Sequence, residues 1–443
     1  MYKKDLLLIS QLTKNNYMLN IQTSKLFWAS CLGMLVTSLS FGIRAGMMNQ
    51  LGIDFQLSAA QLGTITATAF WGFPLAIVIG GFIVDIIGMK RLLLMAFIFH
   101  LTGIILTIFA HGYWTLFCST LLIGISNGTV EAACNPLVAT LYPNDKTTRL
   151  NYFHLWFPGG IVIGTLLVIL FVHFGIGWQL QVAVMLIPTF IYGYLFSRLD
   201  FPVTERVSSG YSSADMYKAV LSPLFIFMFI CMFGTAITEL FTGQWIGLLL
   251  KNVTDNAILL LTLTTGVMVV GRGLAAPVVH RLAPQGVLLL SAIFAATGLY
   301  LLSTLHGNSI FFAAIIFGIG VCYFWPTMIG FVAEVIPKSG ALGLNLMGGA
   351  GMFAVSIYTI FMGGFYDKLI IRHLPAGVDM KAYIKAPANT PYANALAEAK
   401  SLAGPEILRV TLIIPIILII AFSGLVLYIR KRAIKPIVRV NPL

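Results

Sequence analysis

Charge is scarce in this 443-residue chain: Asp, Glu, Lys and Arg make up 9% of it against 58% hydrophobic residues, where a soluble globular protein carries about a quarter charged residues. That shortage excludes an ordinary soluble domain and predicts a chain folded in lipid. Cysteine is sparse as well. Cys31, Cys118, Cys134, Cys231 and Cys322 all fall in apolar segments, without C-x-x-C or Cys/His ligand spacing, so neither a disulfide framework nor a metal site is expected, and no cofactor. The sequence has no G-x-x-x-x-G-K-[ST] phosphate loop and no soluble domain to hydrolyse a nucleotide, which argues against a pump. It also lacks the His-rich or paired-carboxylate constellation of an embedded enzyme, so no catalytic residues are expected. The net charge of +12 would suit nucleic acid, but the basic residues form no single aromatic-interleaved patch, and no nucleic-acid partner is expected. A cleaved signal peptide is not expected either, because the first apolar run starts only near Leu26 and many more follow.

What the chain has is apolar runs. Stretches of about 20 residues, enough to cross roughly 30 Å of hydrocarbon, begin near Leu26, Ala60, Arg91, Trp114, Tyr152, Trp178, Ser222, Asn256, Val287, Ser309, Leu342 and Glu406. The expected fold is an all-α membrane protein of twelve transmembrane helices, with both termini on one side. Leaving aside Arg44 and Arg272, which fall within spans, the Lys and Arg residues concentrate on that side. They include Lys90, Arg91, Lys146, Arg149, Arg198, Arg206, Lys218, Arg281 and Lys338. The positive-inside rule therefore predicts cytoplasmic termini. Six of the seven Lys and Arg on the other side lie in or beside one long polar loop, 366–405, whose mixed charge and scattered alanines allow a short surface helix and which could be inert, a lid or a partner site. The triplet Asn252-Val253-Thr254 fits a glycosylation pattern relevant only to a eukaryotic secretory setting.

Short matches recur at nearly one offset. LLLMAFIFHLTG (92–103) resembles VLLLSAIFAATG (287–298), Gly124 and Pro143 recur as Gly318 and Pro337, and Leu150-Asn151 recurs as Leu344-Asn345. A six-helix unit has been duplicated. The expected organisation is a cytoplasmic segment 1–25, a six-helix bundle 26–197, a cytoplasmic linker 198–221, a second bundle 222–430 containing the extracytoplasmic loop 366–405, and a cytoplasmic tail 431–443. The halves are expected to be pseudo-symmetric about an axis along the membrane normal.

The hairpin GGFIVDIIGMKR (80–91) resembles the major facilitator signature Gly-x-x-x-Asp-x-x-Gly-x-Lys/Arg-Arg through Gly81, Asp85, Gly88, Lys90 and Arg91. Within that superfamily, GISNGTVEAACNPL, RLNYFHLWFPGGIVIG and Glu239 six residues before Trp245 resemble the branch of proton-coupled fucose, glucose and galactose permeases. The resemblance implies the major facilitator fold, alternating access and sugar:proton symport in a bacterial inner (plasma) membrane, by a monomer.

Glu131 interrupts the otherwise apolar run 114–141. An acid at helix centre costs on the order of 3 kcal/mol even on mild insertion scales, so a functional reason is the default. A carboxyl kept from water can take and release a proton near neutral pH; the plainer reading is a neutralised packing residue. The resemblance assigns the helix-4 glutamate to proton coupling and sugar binding. Asn135 lies one turn further on the same face and could donate to a sugar hydroxyl, and Pro136 could kink the helix. Arg44 in helix 1 needs a counter-charge or water, and Glu131 is its expected partner. The permease pattern has an acid there, and an arginine instead would suit an acidic substrate held bidentately.

In the second half Glu239 is the counterpart, with Gln244 and Trp245 following it and Arg272 a possible partner that could instead snorkel to the inner face. Trp156, Trp245 and Trp325 could stack on apolar sugar faces, although single tryptophans are more often packing or belt residues, as Trp114 and Trp178 are expected to be. His154 and His100 could titrate or simply hold structural hydrogen bonds. Asn345 could serve gate or substrate. Asp85, Lys90, Arg91 and Arg149, with Gly81 and Gly88, form a cytoplasmic gating cluster. By resemblance Asp85 latches the halves, and helix 11, beginning near Leu342, offers it a favourable N-terminus. The spacings Gly42/Gly46, Gly124/Gly128 and Gly160/Gly164 would let helices approach closely.

The leading expectation is a transporter of a sugar or sugar-like solute with H+ coupled through Glu131, Arg44 and Glu239. The solute is expected to contact Glu131, Asn135, Arg44, His154, Trp156, Glu239, Gln244, Trp245, Trp325 and Asn345. The alternative is an organic-anion symporter or exchanger anchored by Arg44.

Overall fold

The computed structural model describes residues 21–57, 59–250, 253, 257–375, 382–383, 386–387 and 389–432. Most of the expected N-terminal segment and tail lie outside these, as do Asn252 and Thr254 of the glycosylation triplet. Among the described residues eleven helices are long and apolar enough to span a membrane. A shorter one, Leu259–Gly273, completes the twelve that the sequence predicts. We number them α1 (Thr23–Asp54), α2 (Ala59–Ile87), α3 (Met89–Ile108), α4 (Tyr113–Leu141), α5 (Lys146–His173), α6 (Trp178–Arg198), α7 (Pro223–Leu249), α8 (Ala257–Gly273), α9 (Ala275–Leu302), α10 (Ser309–Val335), α11 (Gly340–His373) and α12 (Pro391–Arg432).

The chain divides into two compact units. The first comprises Met1–Val220 with Ile336–Leu346, and the second Leu221–Val335 with Met347–Leu443. The first unit thus takes in the start of α11.

In the first unit the tightest packing joins α2 to α4, and small residues permit it. A Cβ at Gly124 would sit 2.8 Å from the Ala69 backbone, and one at Gly128 would collide with the Phe73 carbonyl. Without a driving force from water, close backbone approach and dispersion hold such helices together. Gly42 and Gly164 play the same part between α1 and α5, where their backbones nearly touch. The expected small-residue spacings are therefore used; the surroundings of Gly46 lie outside the description. Gly88, with φ 86°, makes the turn between α2 and α3, a left-handed conformation that favours glycine.

The second unit has irregular turns of its own. α7 contains a π-helical turn, Ile237–Phe241. α10 is interrupted between its pieces Ser309–Val321 and Phe324–Val335. Within α9, Ala283 departs from helical geometry at φ 54° immediately before Pro284, which cannot continue the preceding turn.

The described residues of the region expected as a long loop are largely helical. α11 runs on to His373 and α12 begins at Pro391. Proline is at home in a first helical turn, and the alanines at 393, 395, 397 and 399 are strong helix formers. His373 and Glu406 pair at 2.8 Å to tie the two helices.

Candidate functional site

α4 is the most enclosed helix of the first unit, and from Ser126 to Ala139 every residue is buried. Asn127, Glu131 and Asn135 recur one turn apart, so they stack as a polar stripe along it. Glu131 is 2% exposed. Asn135 donates its amide N–H to a Glu131 carboxylate oxygen at 3.4 Å, and the Asn135 carbonyl oxygen lies 3.0 Å from His154 Nε2. With the amide nitrogen committed to the carboxyl, the amide oxygen accepts, so Nε2 of His154 carries the proton. Helices α4 and α5 thereby bring three sequence-predicted residues together. His154 closes the first piece of α5 (Lys146–His154), before Trp156–His173 resumes. Trp156 packs edge-on against Trp28 with centroids 6.0 Å apart.

Pro136 has a consequence one turn back. It lacks the N–H that would have bonded the Ala132 carbonyl. Asn345, at the start of α11 in the same unit, supplies one instead, its amide nitrogen donating to that carbonyl at 2.9 Å. A Cβ at Gly81 would lie 2.7 Å from the Asn345 Cβ, so the signature glycine makes room for this residue. Asn345 therefore packs against the signature hairpin and the Pro136 turn of α4.

Arg44 does not meet its expected partner. Among the described residues it forms no ion pair with Glu131 or any other carboxylate. Its guanidinium lies 5.7 Å from the Phe41 ring centroid. It lines a cavity of about 20 Å³ with Thr107 of α3, Thr120 and Ile123 of α4 and Val182 of α6. Ile123 precedes Glu131 by eight residues, about 12 Å along a helix rising 1.5 Å per residue, which explains the missed pairing. The position is linked to a buried network. Ser40, also lining that cavity, accepts from the Asn127 amide at 3.1 Å, and His100 bridges Asn127 Oδ1 and Tyr192 Oη at 2.8 Å each. His100 is structural: both ring nitrogens are occupied.

In the second unit Glu239 sits within the π-helical turn and pairs with Arg272 at 2.7 Å, the side chains being 4% and 2% exposed. The pair also mends the break in α10. Arg272 Nε donates to the Cys322 carbonyl at 2.6 Å, and the second Glu239 oxygen accepts from the Trp325 backbone N–H at 3.3 Å. Irregular backbone at membrane depth is tolerated only where protein or a cavity satisfies it, and such breaks are where transporters build sites. The Trp325 indole N–H and the Thr242 hydroxyl are buried without a protein partner among the described residues. Trp325 packs on Gly351, where a Cβ would approach to 2.7 Å. Trp245 stacks on Phe241 at 5.3 Å and meets Tyr366 edge-on. Gln244 is exposed, on another side of α7 from Glu239.

Asp85 contacts the linker rather than the α11 N-terminus itself. It accepts from Arg206 Nε and from the Thr204 hydroxyl, both at 2.5 Å. The Arg206 side chain in turn lies against Gly340, the first residue of α11, where a Cβ would stand 3.0 Å from it. Lys146 binds Glu205 at 2.7 Å, and Lys90 donates to the Leu199 carbonyl at 2.9 Å. Arg149 stacks on the Tyr142 ring at 4.5 Å, and Arg91 is exposed. Sequence reading missed the linker triplet Thr204-Glu205-Arg206. Its basic residue was counted only toward topology, and no local pattern marks a partner more than a hundred residues away.

A sequence profile of the Major Facilitator Superfamily matches residues 30–357. Among curated proteins, a D-xylose transporter of Levilactobacillus brevis is 26% identical over 172 residues, 39% of this chain and 38% of that protein. Myo-inositol transporter 1 of Candida albicans is 24% identical over 39% of this chain and 33% of its own length. The aligned parts thus span little more than a third of these relatives. Among solved structures, the E. coli fucose:proton symporter aligns at TM-score 0.66 with 15% identity, covering 88% of this chain and 98% of that one. A proton:xylose symporter aligns at TM-score 0.63 with 14% identity, covering 88% and 94%. At such identities the likeness establishes the fold.

Proposed function

The chain belongs to the Major Facilitator Superfamily and is an integral membrane protein, and from that premise we propose that it is a secondary active transporter of a sugar or sugar-like solute, driven by H+ through Glu131. The observation that carries this reading is the buried Glu131–Asn135–His154 cluster on α4 and α5. A carboxyl removed from water can exchange a proton, and an amide beside it can register the change while offering hydrogen bonds to hydroxyls. The Trp325 indole and Thr242 hydroxyl supply further donors of the kind sugar hydroxyls accept, beside the irregular turns of α7 and α10.

Trp245, on Phe241, offers an aromatic face for an apolar sugar ring. Glu239, locked to Arg272, positions the α10 break and is not itself the travelling-proton site. Alternating access would then be read at Asp85, Gly81 and Asn345, with Gly88, Lys90, Arg91 and Arg149 framing that end. We place both termini in the cytoplasm of a bacterial inner (plasma) membrane from the distribution of Lys and Arg. We take the carrier to act as a monomer, with lipid, H+ and the solute as its partners. Solutes of the relatives named above, D-xylose and myo-inositol, define the first compounds to screen. An organic anion anchored by Arg44 is not part of this reading, because a cavity of about 20 Å³ has room for little more than one water-sized sphere.

The test is substrate-induced pH change in proteoliposomes. Proton entry with a neutral sugar is expected for the wild type and lost in Glu131→Gln, while counterflow exchange of labelled sugar persists. Proton entry undiminished in Glu131→Gln would refute the coupling role. A response to acidic solutes alone would refute the neutral-sugar reading.

A further inference from the structure

Arg44 presents a problem that the transport cycle proposed above does not solve. It is 6% exposed, its guanidinium keeps its charge at any physiological pH, and among the described residues it has no carboxylate partner. A buried unpaired cation is costly, and proteins normally meet it with a counter-ion. Its surroundings are built for one. The cavity that Arg44 lines also receives Ser40, Thr107 and Thr120, all buried, with Ile43 and Met47 closing its apolar side. Two of the hydroxyls are committed as donors, Ser40 to the Thr37 carbonyl at 2.6 Å and Thr107 to the Gly103 carbonyl at 2.8 Å. Among the described residues the Thr120 hydroxyl and the guanidinium N–H groups, both at the lining, have no hydrogen-bond acceptor and remain for a guest.

We propose that the Arg44 cavity, bordered by α1, α3, α4 and α6, is a binding site for a single monovalent inorganic anion of halide size. Three features set the ligand class. The one charged group lining the cavity is a cation, so an anion is favoured and a metal ion is excluded. At about 20 Å³ the space exceeds the roughly 10–15 Å³ that a water-sized guest needs but is too small for a sugar acid. The site is also separate from the Glu131 cluster, about 12 Å away along α4 at 1.5 Å per residue, so it is no part of the solute position. Through Ser40 it adjoins the Asn127–His100–Tyr192 network. Occupancy therefore bears on how firmly α1, α3, α4 and α6 are held together.

The full chain purified in detergent tests this at fixed ionic strength, replacing sodium gluconate with sodium chloride or bromide. Chloride is expected to raise the thermal unfolding midpoint saturably, by about 2 °C or more, and the rise is expected to vanish in Arg44→Gln. Thr120→Val, which keeps the charge, should weaken the apparent chloride affinity about tenfold, in line with loss of a hydrogen bond to a charged group. This arm holds even if Arg44→Gln does not fold. Bromide anomalous scattering should place one ion beside Arg44. A wild-type midpoint indifferent to halide would overturn the proposal. So would an undiminished halide response in both variants, equal stabilisation by glucuronate, or bromide bound only elsewhere.

Discussion

Arg272→Met should be among the most damaging single substitutions in the second unit, and its cost follows from the contacts. Arg272 and Glu239 pair at 2.7 Å with side chains only 2% and 4% exposed, so removing one partner strands a buried charge, at about 3–5 kcal/mol. The same substitution leaves the Cys322 carbonyl, bonded by Arg272 Nε at 2.6 Å, without its donor at the α10 break, a further loss of about 1–3 kcal/mol. These terms overlap, and a net destabilisation of about 4–6 kcal/mol is expected. Replacing both residues, as Arg272→Met with Glu239→Leu, removes the stranded charge. Roughly half the loss should then return, leaving the cost of the Cys322 carbonyl and the Trp325 N–H. The control is Asp145→Asn. Its pair with Arg149, 3.6 Å apart and about one-third exposed on both sides, is screened by solvent and should count for less than about 1 kcal/mol. Unfolding in mixed micelles, followed by tryptophan fluorescence and far-ultraviolet circular dichroism, measures all four. An Arg272→Met protein within about 1 kcal/mol of wild type would refute the reasoning, as would a double variant at least as unstable as the single.

Asp85→Asn weakens the tie to Arg206, and trypsin should then cut after Arg206, which the folded linker protects, several-fold faster. Gly128→Leu places side-chain atoms where the Phe73 carbonyl stands; a loss exceeding the ~1–3 kcal/mol of ordinary overpacking should appear as failed insertion or a collapsed midpoint. Pro136→Ala restores an N–H for the Ala132 carbonyl and so competes with Asn345. This change, and Asn345→Ala likewise, should accelerate thiol labelling of the native Cys134, fully buried two residues from Ala132 and followed by peptide mapping; unchanged labelling in both would argue against the gate. Asp215, outside the spans, is held below the ordinary carboxylate value of 3.8 mainly by the hydrogen bond from the Ser212 hydroxyl at 2.8 Å. Because its folded pKa is depressed, this contribution is present above about pH 4 and fades as pH falls through the folded value. The stability difference between wild type and Ser212→Ala, measured from pH 7 to 3, should shrink on acidification; a difference growing with acid would reverse the sign.

The fold was legible because two coarse signals, long apolar runs and a duplicated pattern, survive without any tertiary information. Glu131, Asn135 and His154 were legible for a related reason: a polar side chain in hydrocarbon is conspicuous, and spacing of four puts the first two on one face. The Arg44–Glu131 pairing failed because two spans known only as runs have no register between them, and a residue at the level of Ile123 cannot reach Glu131. Asp85 was expected at the α11 N-terminus, whereas the linker's Arg206 stands between them. Contacts so distant in sequence leave no periodic trace. After Tyr366 the sequence suggested a polar loop whose scattered alanines allow a short surface helix; α11 and α12 carry helix further into it than that, to His373 and from Pro391.

α12 has 42 residues, about 63 Å at 1.5 Å per residue, roughly twice the hydrocarbon thickness. Pro405 and Pro415 lie inside it, so it is not one straight rod, and its early turns, where Leu396, Ala399 and Ala403 are buried, extend past the hydrocarbon while packed within their own unit. A small protein module spliced at an exposed position of those turns in helical phase would keep a fixed attitude toward that unit and give image alignment a landmark.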